Sequence, residues 1–600
     1  MNKPLTKLLS LCLISGLLAA CSPQPSGTTT PGTTAPGTTS PPVTTTAAQA
    51  PGGLKPGTYT TEAQGHNAPI KVEMTVDGEK ILNIAITEHK ETVGIAEPAL
   101  DRIPKQIIEF QSLAVDSVAG ATFTSKAILS AVEKGLTEAG AEISAFKIPR
   151  SDIPAGKTVA YETDVIVVGS GIAGLSAALE AADNGARVIL LEKMASVGGS
   201  SVRSGGKILA AGSSIQKAAG IEDTPEQFAN YLMEVGEHQV DKSFIDLIAN
   251  NSAGNIEWLL NNGVELSDQI EPLHSTMTPA RGHFAKNGSG SGIILPLYDK
   301  VKEKQVEVLL ETPALSLIFE DGMVTGVRAT NLAKDDITIT ARSVVLATGG
   351  FSRNQEYVAK YYPSAGNFST GVGDGSTGDG ITMGLTVDAE LIMPDGGINL
   401  TLNPMTYYGY GEEAKGLFVS PDGERFMDES LFHFRRTRIM MDLNMDNCWY
   451  IFDESTFNDR VAQSLAANLT VEADSLAELA AKMKADPSKL EAAVSDYNKM
   501  AKTGEDTQFK KPAEFMKPIE TGKFYAAHLI MTNSGTHGGL KIDIDGHVIN
   551  TTGQIIPGLF AAGEVASGQI LYKEYPGSGT ALISFLTFGR QAGKAAAKAQ

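Results

Sequence analysis

The chain has 600 residues, of which 69 are acidic and 49 basic, for a formal charge of −20. That acidity sets it against nucleic acid or an anionic membrane face as partner, since both would repel it. It has three cysteines, Cys12, Cys21 and Cys448, and two of them fall in the first 21 residues, so no disulfide framework is available to hold a fold.

Residues 1–21 read as a lipoprotein signal peptide. Lys3 and Lys7 precede an apolar stretch from Leu8 to Ala20, too short for a retained membrane span. The stretch closes Leu18-Ala19-Ala20-Cys21, which resembles a bacterial lipoprotein box. The expectation is lipidation of Cys21, with more than one acyl chain anchoring the protein to the extracytoplasmic face of the cell membrane. Plain secretion with an incidental cysteine is the alternative. Residues 22–53 are almost wholly Ser, Thr, Pro, Gly and Ala, a composition that cannot build a core. Stretched out, that tether would reach on the order of 100 Å. No later apolar run is long enough to cross a bilayer.

Residues 54–147 read as a small α+β domain. Alternating apolar positions in GTYTTEAQG, IKVEMTVDG and KILNIAITEH predict a meander of strands from Gly57. Helical periodicity follows at Ile107–Phe110 and Lys126–Glu138, and between them lies Asp116-x-x-x-Gly120-Ala121-Thr122-x-Thr124-Ser125. Gly120 and Ala121 let the backbone approach a phosphate, and Thr122 supplies a hydroxyl. Thr124 and Ser125 add hydroxyls at a helix start whose amides favour an anion. Taken alone, the run also fits a hydroxyl N-cap after a glycine turn. The domain resembles the FMN-binding domain of membrane electron-transfer flavoproteins. That resemblance implies FMN attached covalently, by a phosphoester that a flavin transferase makes to Thr122, within a motif that includes Asp116, Gly120 and Ala121.

After a linker at 148–160, a buried strand, Asp164–Val168, runs into Gly169-x-Gly171-x-x-Gly174 and an Ala-rich helix. A stop at Gly185 and a second strand ending at Glu192 follow. The first two glycines permit a tight turn against a pyrophosphate, Gly174 permits close helix–strand packing, and Glu192 is placed for ribose hydroxyls. These features predict a Rossmann-like α/β fold holding NAD or FAD. Four further runs favour FAD: Gly198-Gly199-Ser200-Ser201, Thr348-Gly349-Gly350 after the strand Ser343–Ala347, Ser376-Thr377-Gly378-Asp379-Gly380, and Gly563-Glu564.

In this order the runs resemble the fumarate reductase flavoprotein family, which includes soluble fumarate reductases, urocanate reductases and ketosteroid dehydrogenases. The resemblance covers Asp164 to Ala597. It implies non-covalent FAD held by Gly169, Gly171, Ala173, Gly174, Glu192, Lys193, Gly199, Ser200, Ser201, Gly205 and Gly206. Ala314, Thr348, Gly349, Gly378, Asp379, Gly563, Glu564, Thr580, Ala581 and Leu582 complete that set, and no metal is implied. It also implies an FAD-binding domain in two parts, 161–397 and 537–600, with an α+β capping domain at 398–536. The substrate would lie between cap and flavin, where closure excludes water.

At the substrate end the sequence departs from the fumarate pattern. The family places a catalytic Arg four residues after the Glu of an R-F-x-x-E run. Here Arg425-Phe426-Met427-Asp428-Glu429 leads to His433, with Arg435 and Arg436 beyond it. The fumarate-type A-H-P-T is Leu402-Asn403-Pro404-Met405, H-H-T-M-G-G is Ser534-Gly535-Thr536-His537-Gly538-Gly539, and N-R-L-G-G-N-A is Tyr575 to Ala581. Cationic or imidazole groups are lost in each. Two carboxylates in a dry site need several fixed donors, so fumarate is not the expected substrate. Tyr575-Pro576-Gly577-Ser578-Gly579 instead resembles the ketosteroid dehydrogenases, where the Tyr hydroxyl and last Gly amide hold a carbonyl oxygen. By position the catalytic set is His433, Arg435, Arg436, Tyr575 and Gly579, with His433 or an Arg as proton donor. The loop Tyr407-Tyr408-Gly409-Tyr410 reads either as a pocket wall for a ring-bearing substrate or as plain packing.

The expected activity is reduction of a C=C bond conjugated to a carbonyl or carboxyl group, on a small unsaturated acceptor in anaerobic respiration. Electrons would arrive from a membrane or extracellular donor and pass from FMN to FAD. Two alternatives stay open on sequence alone: the reverse reaction on a saturated ketone, and a flavin shuttle with no alkene chemistry.

Overall fold

The computed structural model describes residues 53–148, 156–272, 274, 278–366, 368–403 and 415–599. Cys21, nearly all of the tether, Pro404, Met405 and the Tyr407–Tyr410 loop lie outside the described residues. The alternation after Gly57 becomes three antiparallel strands, Gly57–Gln64, Pro69–Val76 and Ile81–Glu88. Ile70, Val72, Met74 and Val76 share one face and are buried, as the period of two requires. They pack with the helices Glu97–Phe110 and Thr122–Glu138 in one apolar cluster. The first helix begins at Glu97, well before the periodicity read at Ile107, because Pro98 falls in its first turn and Pro104 is carried inside it. A proline at the first turn costs nothing, but one in the interior reads as a stop.

The dinucleotide part is built on a six-stranded sheet. Its order is His547–Ile549, Ile555–Ala561, Ser343–Leu346, Val165–Val168, Val188–Leu191 and Glu307–Leu309. Every pairing is parallel except the first hairpin. Ser343–Leu346, Val165–Val168 and Val188–Leu191 are buried at every position, as expected where helices cover both faces of a parallel sheet. The helices Ile172–Asp183 and Thr580–Lys598 meet where Gly593 faces the backbone of Ala177, a Cβ there falling 2.2 Å from its carbonyl oxygen. Part of the expected linker is instead a strand, Thr158–Glu162, paired in parallel with Asp336–Thr340 on a second sheet.

Two long antiparallel strands, Leu391–Leu402 and Phe524–Leu540, carry the chain into and out of the cap region. The expected cap boundaries, Ile398 and Thr536, fall inside these strands, because one ribbon crosses from one region to the other without a turn. The strands Leu417–Val419, Asn447–Asp453 and Thr470–Ala473 extend the same sheet. Among the described residues no helix is long and apolar enough to cross a membrane.

Four buried charges brace the cap. Arg425 holds Glu429 at 2.8 and 2.9 Å and Asp506 at 2.7 and 3.0 Å, while Lys511 lies 3.2 Å from Glu429. Burial alone would raise Asp506, but the Arg425 guanidinium and the Lys511 and Phe509 amides hold it down to about 2. Two cations and two anions balance, and breaking such a set leaves a bare buried charge. Glu429→Gln should therefore cost about 3–5 kcal/mol of cap stability. The measurement is the urea midpoint of Trp449 fluorescence in a Trp258→Phe background, and an unshifted midpoint would remove the brace from the account.

Candidate active site

A cleft of about 940 Å³ runs from the Gly169 turn past Glu192 and Thr348 to Tyr575 and the strand Leu391–Leu402. At one end, Val165–Val168 stops at Gly169 and the helix Ile172–Asp183 starts almost at once, which turns backbone amides toward any phosphate bound there. Gly174 stands behind this wall. A Cβ on it would lie 1.8 Å from the Gly169 carbonyl oxygen, so only glycine lets the helix start so close to the strand.

Glu192 lines the cleft and accepts the backbone N–H of Ser170 at 3.0 Å and of Met194 at 2.8 Å. Burial pushes its carboxyl above the ordinary range against those donors. Glu564 also lines the cleft, and burial raises it likewise while the Thr536 amide and hydroxyl donate at 2.7 and 3.1 Å. Lys193 and Asp379 are partners at 2.7 Å, with Thr377 donating to Asp379 at 2.6 Å.

These residues fit a dinucleotide. Much of the wall is glycine backbone, at Gly169, Gly199, Gly349, Gly373 and Gly563. The buried hydroxyl of Thr348 on that wall has no protein partner, and a cofactor oxygen would satisfy it. Gly171, Ala173, Ser200, Ser201, Gly205, Ala314, Ala581 and Leu582 line the cleft as expected, whereas Gly174, Gly206, Gly378 and Thr580 do not. Gly206 instead holds the Ala285 amide through its carbonyl, and Gly378 caps the helix Asp379–Leu385. Ser170, Met194, Arg203 and Lys207 line it without having been foreseen, since nothing in a loop sequence tells which side chains turn inward.

The other end of the cleft is apolar, walled by Ile398, Leu400, Leu402, Phe434 and Phe585. Tyr575 stands edge-on to Phe434 at 4.8 Å, and its oxygen accepts the Ala581 amide at 2.9 Å. Gly579, at the start of the helix Thr580–Lys598, lines the cleft beside it. Tyr231 donates to the Pro576 carbonyl and so pins this turn, a role the sequence did not disclose.

The other three expected catalytic residues are not on the cleft wall. His433 begins the cap helix His433–Asp442, its ring between Phe432 and Phe434 at 4.3 Å from each. Burial, then the charge of Arg436, holds its imidazole well below the usual value, which favours the neutral ring. Arg435 pairs with Glu574 at 2.8 Å, and Arg436 is buried over the Phe418 ring at 4.9 Å. A helix shows each residue to a different side, and this one turns Phe434 to the cleft and its cations away. Among the described residues three cations line the cleft, and each has an acidic partner: Lys193 has Asp379, Lys207 has Glu271, and Arg203 has Asp374 at 4.0 Å.

In the small domain, Thr122 is the first residue of its helix and half-buried, after Gly120 and Ala121, while Asp116 is exposed. Thr124 and Ser125 are not open to a phosphate. The Thr124 hydroxyl donates to Glu91, and Ser125 donates to the Ala121 carbonyl at 2.9 Å and accepts the Val118 amide at 3.0 Å. Both hydroxyls brace the loop that presents Thr122.

A parallel-sheet cleft of this make defines a flavin-dinucleotide-binding protein. The chain belongs to the FAD binding domain family, matched over residues 164–582, and carries an FMN-binding domain matched over residues 65–137. It is 30% identical over 621 residues to an NADH:acrylate oxidoreductase of Vibrio harveyi, covering 90% of this chain and 61% of that protein. The chain thus spans only about three fifths of that relative's length. It is 31% identical to a urocanate reductase of Eggerthella lenta, over 90% of this chain and 92% of the other. Among solved structures it resembles a 3-ketosteroid-Δ4-(5α)-dehydrogenase from Rhodococcus jostii RHA1 in complex with 4-androstene-3,17-dione. There the TM-score is 0.64 and the identity 27%, over 75% of this chain and 99% of that one.

Because Gly174 sets the spacing of the turn, Gly174→Val should yield protein that has lost its FAD. Chromatography of the flavin released on denaturation measures this, and undiminished FAD would show that the close approach is dispensable.

Proposed function

We propose that the protein is a lipid-anchored, extracytoplasmic flavoenzyme that reduces a C=C bond conjugated to a carbonyl or carboxyl group. The observation that carries this reading is the far end of the cleft: apolar walls, the Tyr575–Gly579 turn and, among the described residues, no lining cation without an acidic partner. The relatives named for acrylate and urocanate support the reaction class, and the ketosteroid enzyme's structure supports a carbonyl-bearing acceptor. The cleft around Gly169, Glu192 and Thr348 would hold FAD, which when bound would supply hydride, and Thr122 would hold FMN covalently after the action of a flavin transferase, which would supply electrons drawn from a membrane or extracellular donor.

The chain's own residues do the rest. The Tyr575 hydroxyl and the Gly579 amide are placed to hold the acceptor's oxygen, where negative charge grows as the double bond is reduced. The Ala581 amide donates to the Tyr575 oxygen, which makes its O–H a stronger donor in turn. Ile398, Leu400, Leu402 and Phe434 hold the apolar body of the substrate and exclude water. A small dicarboxylate such as fumarate is poorly served, since binding it would require breaking an existing ion pair. The physiological role is reduction of an organic acceptor in anaerobic respiration. The same Tyr575–Gly579 geometry also favours a second reading, the reverse reaction on a saturated ketone.

Oxidation of a reduced dye, tested against enones, cinnamates, urocanate and fumarate, measures the substrate class. Turnover should favour acceptors with an apolar body, and fast fumarate turnover would overturn the assignment. Tyr575→Phe should lower kcat by about 10²–10³ with flavin content unchanged. Thr122→Ala should abolish the FMN mass adduct while leaving FAD in place, and a surviving adduct would place the attachment elsewhere.

A further inference from the structure

The FMN-binding domain rests on the same stretch of chain that walls the FAD cleft. Ala195 is buried in the small domain's own apolar cluster. Met194 lines the cleft, with its Cε 3.4 Å from where a Cβ on Gly120 would stand. Away from the cleft wall, Arg102 grips Glu311 with two bonds of 2.5 and 2.6 Å, and the Glu311 amide donates to the Met194 carbonyl at 3.1 Å.

Arg203 is the side chain common to both sides. Its Nη2 donates to the Gly120 carbonyl at 3.1 Å, two residues ahead of Thr122. The same guanidinium lies 4.0 Å from Asp374, which Arg353 holds at 3.1 Å, and it also lines the cleft. It therefore touches the attachment loop, the cleft loop around Asp374 and the cleft space together. A planar fork of five donors can hold a carbonyl on one edge and face a carboxylate on another, which a lysine ammonium cannot do in fixed geometry.

We propose that Arg203 is a positioning residue that couples the two flavin-binding domains, holding the Gly120–Thr122 turn against the FAD cleft and so setting how fast electrons cross between them. This rests on the FMN-to-FAD relay proposed above. In each cycle two electrons leave the group at Thr122 and two reach the group in the cleft, so one is oxidised as the other is reduced, with protons exchanged with solvent. Passage of electrons falls steeply with separation, so a turn that drifts from the cleft should pass them slowly while keeping its flavin.

The test uses the full-length protein matured with its flavin transferase, as wild type, Arg203→Gln, Arg203→Lys and Thr122→Ala. Each is fully reduced without oxygen and mixed with the panel acceptor that wild type reduces fastest, and flavin reoxidation is followed. Wild type should show a fast phase from the cleft flavin and a slower one fed from Thr122, and Thr122→Ala only the first. Arg203→Gln should keep its adduct mass, and in protein brought to full FAD occupancy its second phase should slow roughly tenfold or more relative to its own first phase. Arg203→Lys should fall between. Amide hydrogen exchange across residues 116–125, which needs no acceptor, should rise in Arg203→Gln. An unchanged second phase or unchanged exchange in that variant overturns the role of Arg203 while the relay stands. A wild-type trace no different from that of Thr122→Ala overturns the relay, and this inference with it.

Discussion

The Glu564 carboxylate sits where three segments distant in sequence converge. It follows the strand Ile555–Ala561 and receives the amide and hydroxyl of Thr536 from the long strand that returns from the cap. It also receives the Gly350 amide, and the Thr536 hydroxyl accepts from Phe351 at 3.2 Å. Taking a carboxylate out of water costs several kcal/mol, and this set of donors offsets part of it. The two parts of the discontinuous dinucleotide domain and the base of the cap are thereby fixed to one another on the cleft wall. Which cap residues face the cleft depends on that junction. The Arg425–Glu429–Asp506–Lys511 brace then carries the fixed geometry outward to the helix His433–Asp442.

How legible the protein is from sequence follows from how local each signal is. The turn from Gly169 to Gly174 and the acid at Glu192 are legible because a strand, a turn and a helix dictate them within one short stretch. The meander after Gly57 is legible for the same reason, through its period of two. Thr124 and Ser125 misled because a hydroxyl at a helix start looks alike whether it serves a ligand or a loop. Here Glu91, distant in sequence, decides the matter. The part of the Pro104 helix ahead of Ile107 and the strand Thr158–Glu162 are hidden from a local reading because tertiary packing overrides the local breakers.

His433 shows a subtler limit. Its spacing from Glu429 is the family's spacing, yet the side chain lies between aromatic rings off the cleft wall, and its neighbour Phe434 faces the cleft. Spacing along a chain fixes a position on a helix but not the rotation of that helix about its axis. That rotation is set here by Met440 and Arg436 packing into the cap core. Arg203 was invisible for a related reason. Its partners, Gly120 and Asp374, lie on different domains, and no local pattern announces a contact between them.

These placements point to one electrostatic character for the reaction end of the cleft. The cap helix turns Arg435 to Glu574 and Arg436 to Phe418, and Lys207 is held by Glu271. Among the described residues, a phenol, Gly579 and the start of the long helix Thr580–Lys598 line the Tyr575 corner, all of them neutral groups. A site of fixed dipoles discriminates differently from a site of fixed ions. It gives less to a dicarboxylate that arrives doubly charged, because neutral donors offset the desolvation of two carboxylates less fully than fixed cations do. It gives most to a neutral oxygen that becomes charged only as the double bond is reduced, since dipoles already oriented need no reorganisation at that moment. On the function proposed above, the replacement of several imidazoles and an Arg by Asn403, Ser534, Gly535 and the Tyr575–Gly579 turn is one change of chemistry, from recognising charge to stabilising charge as it forms.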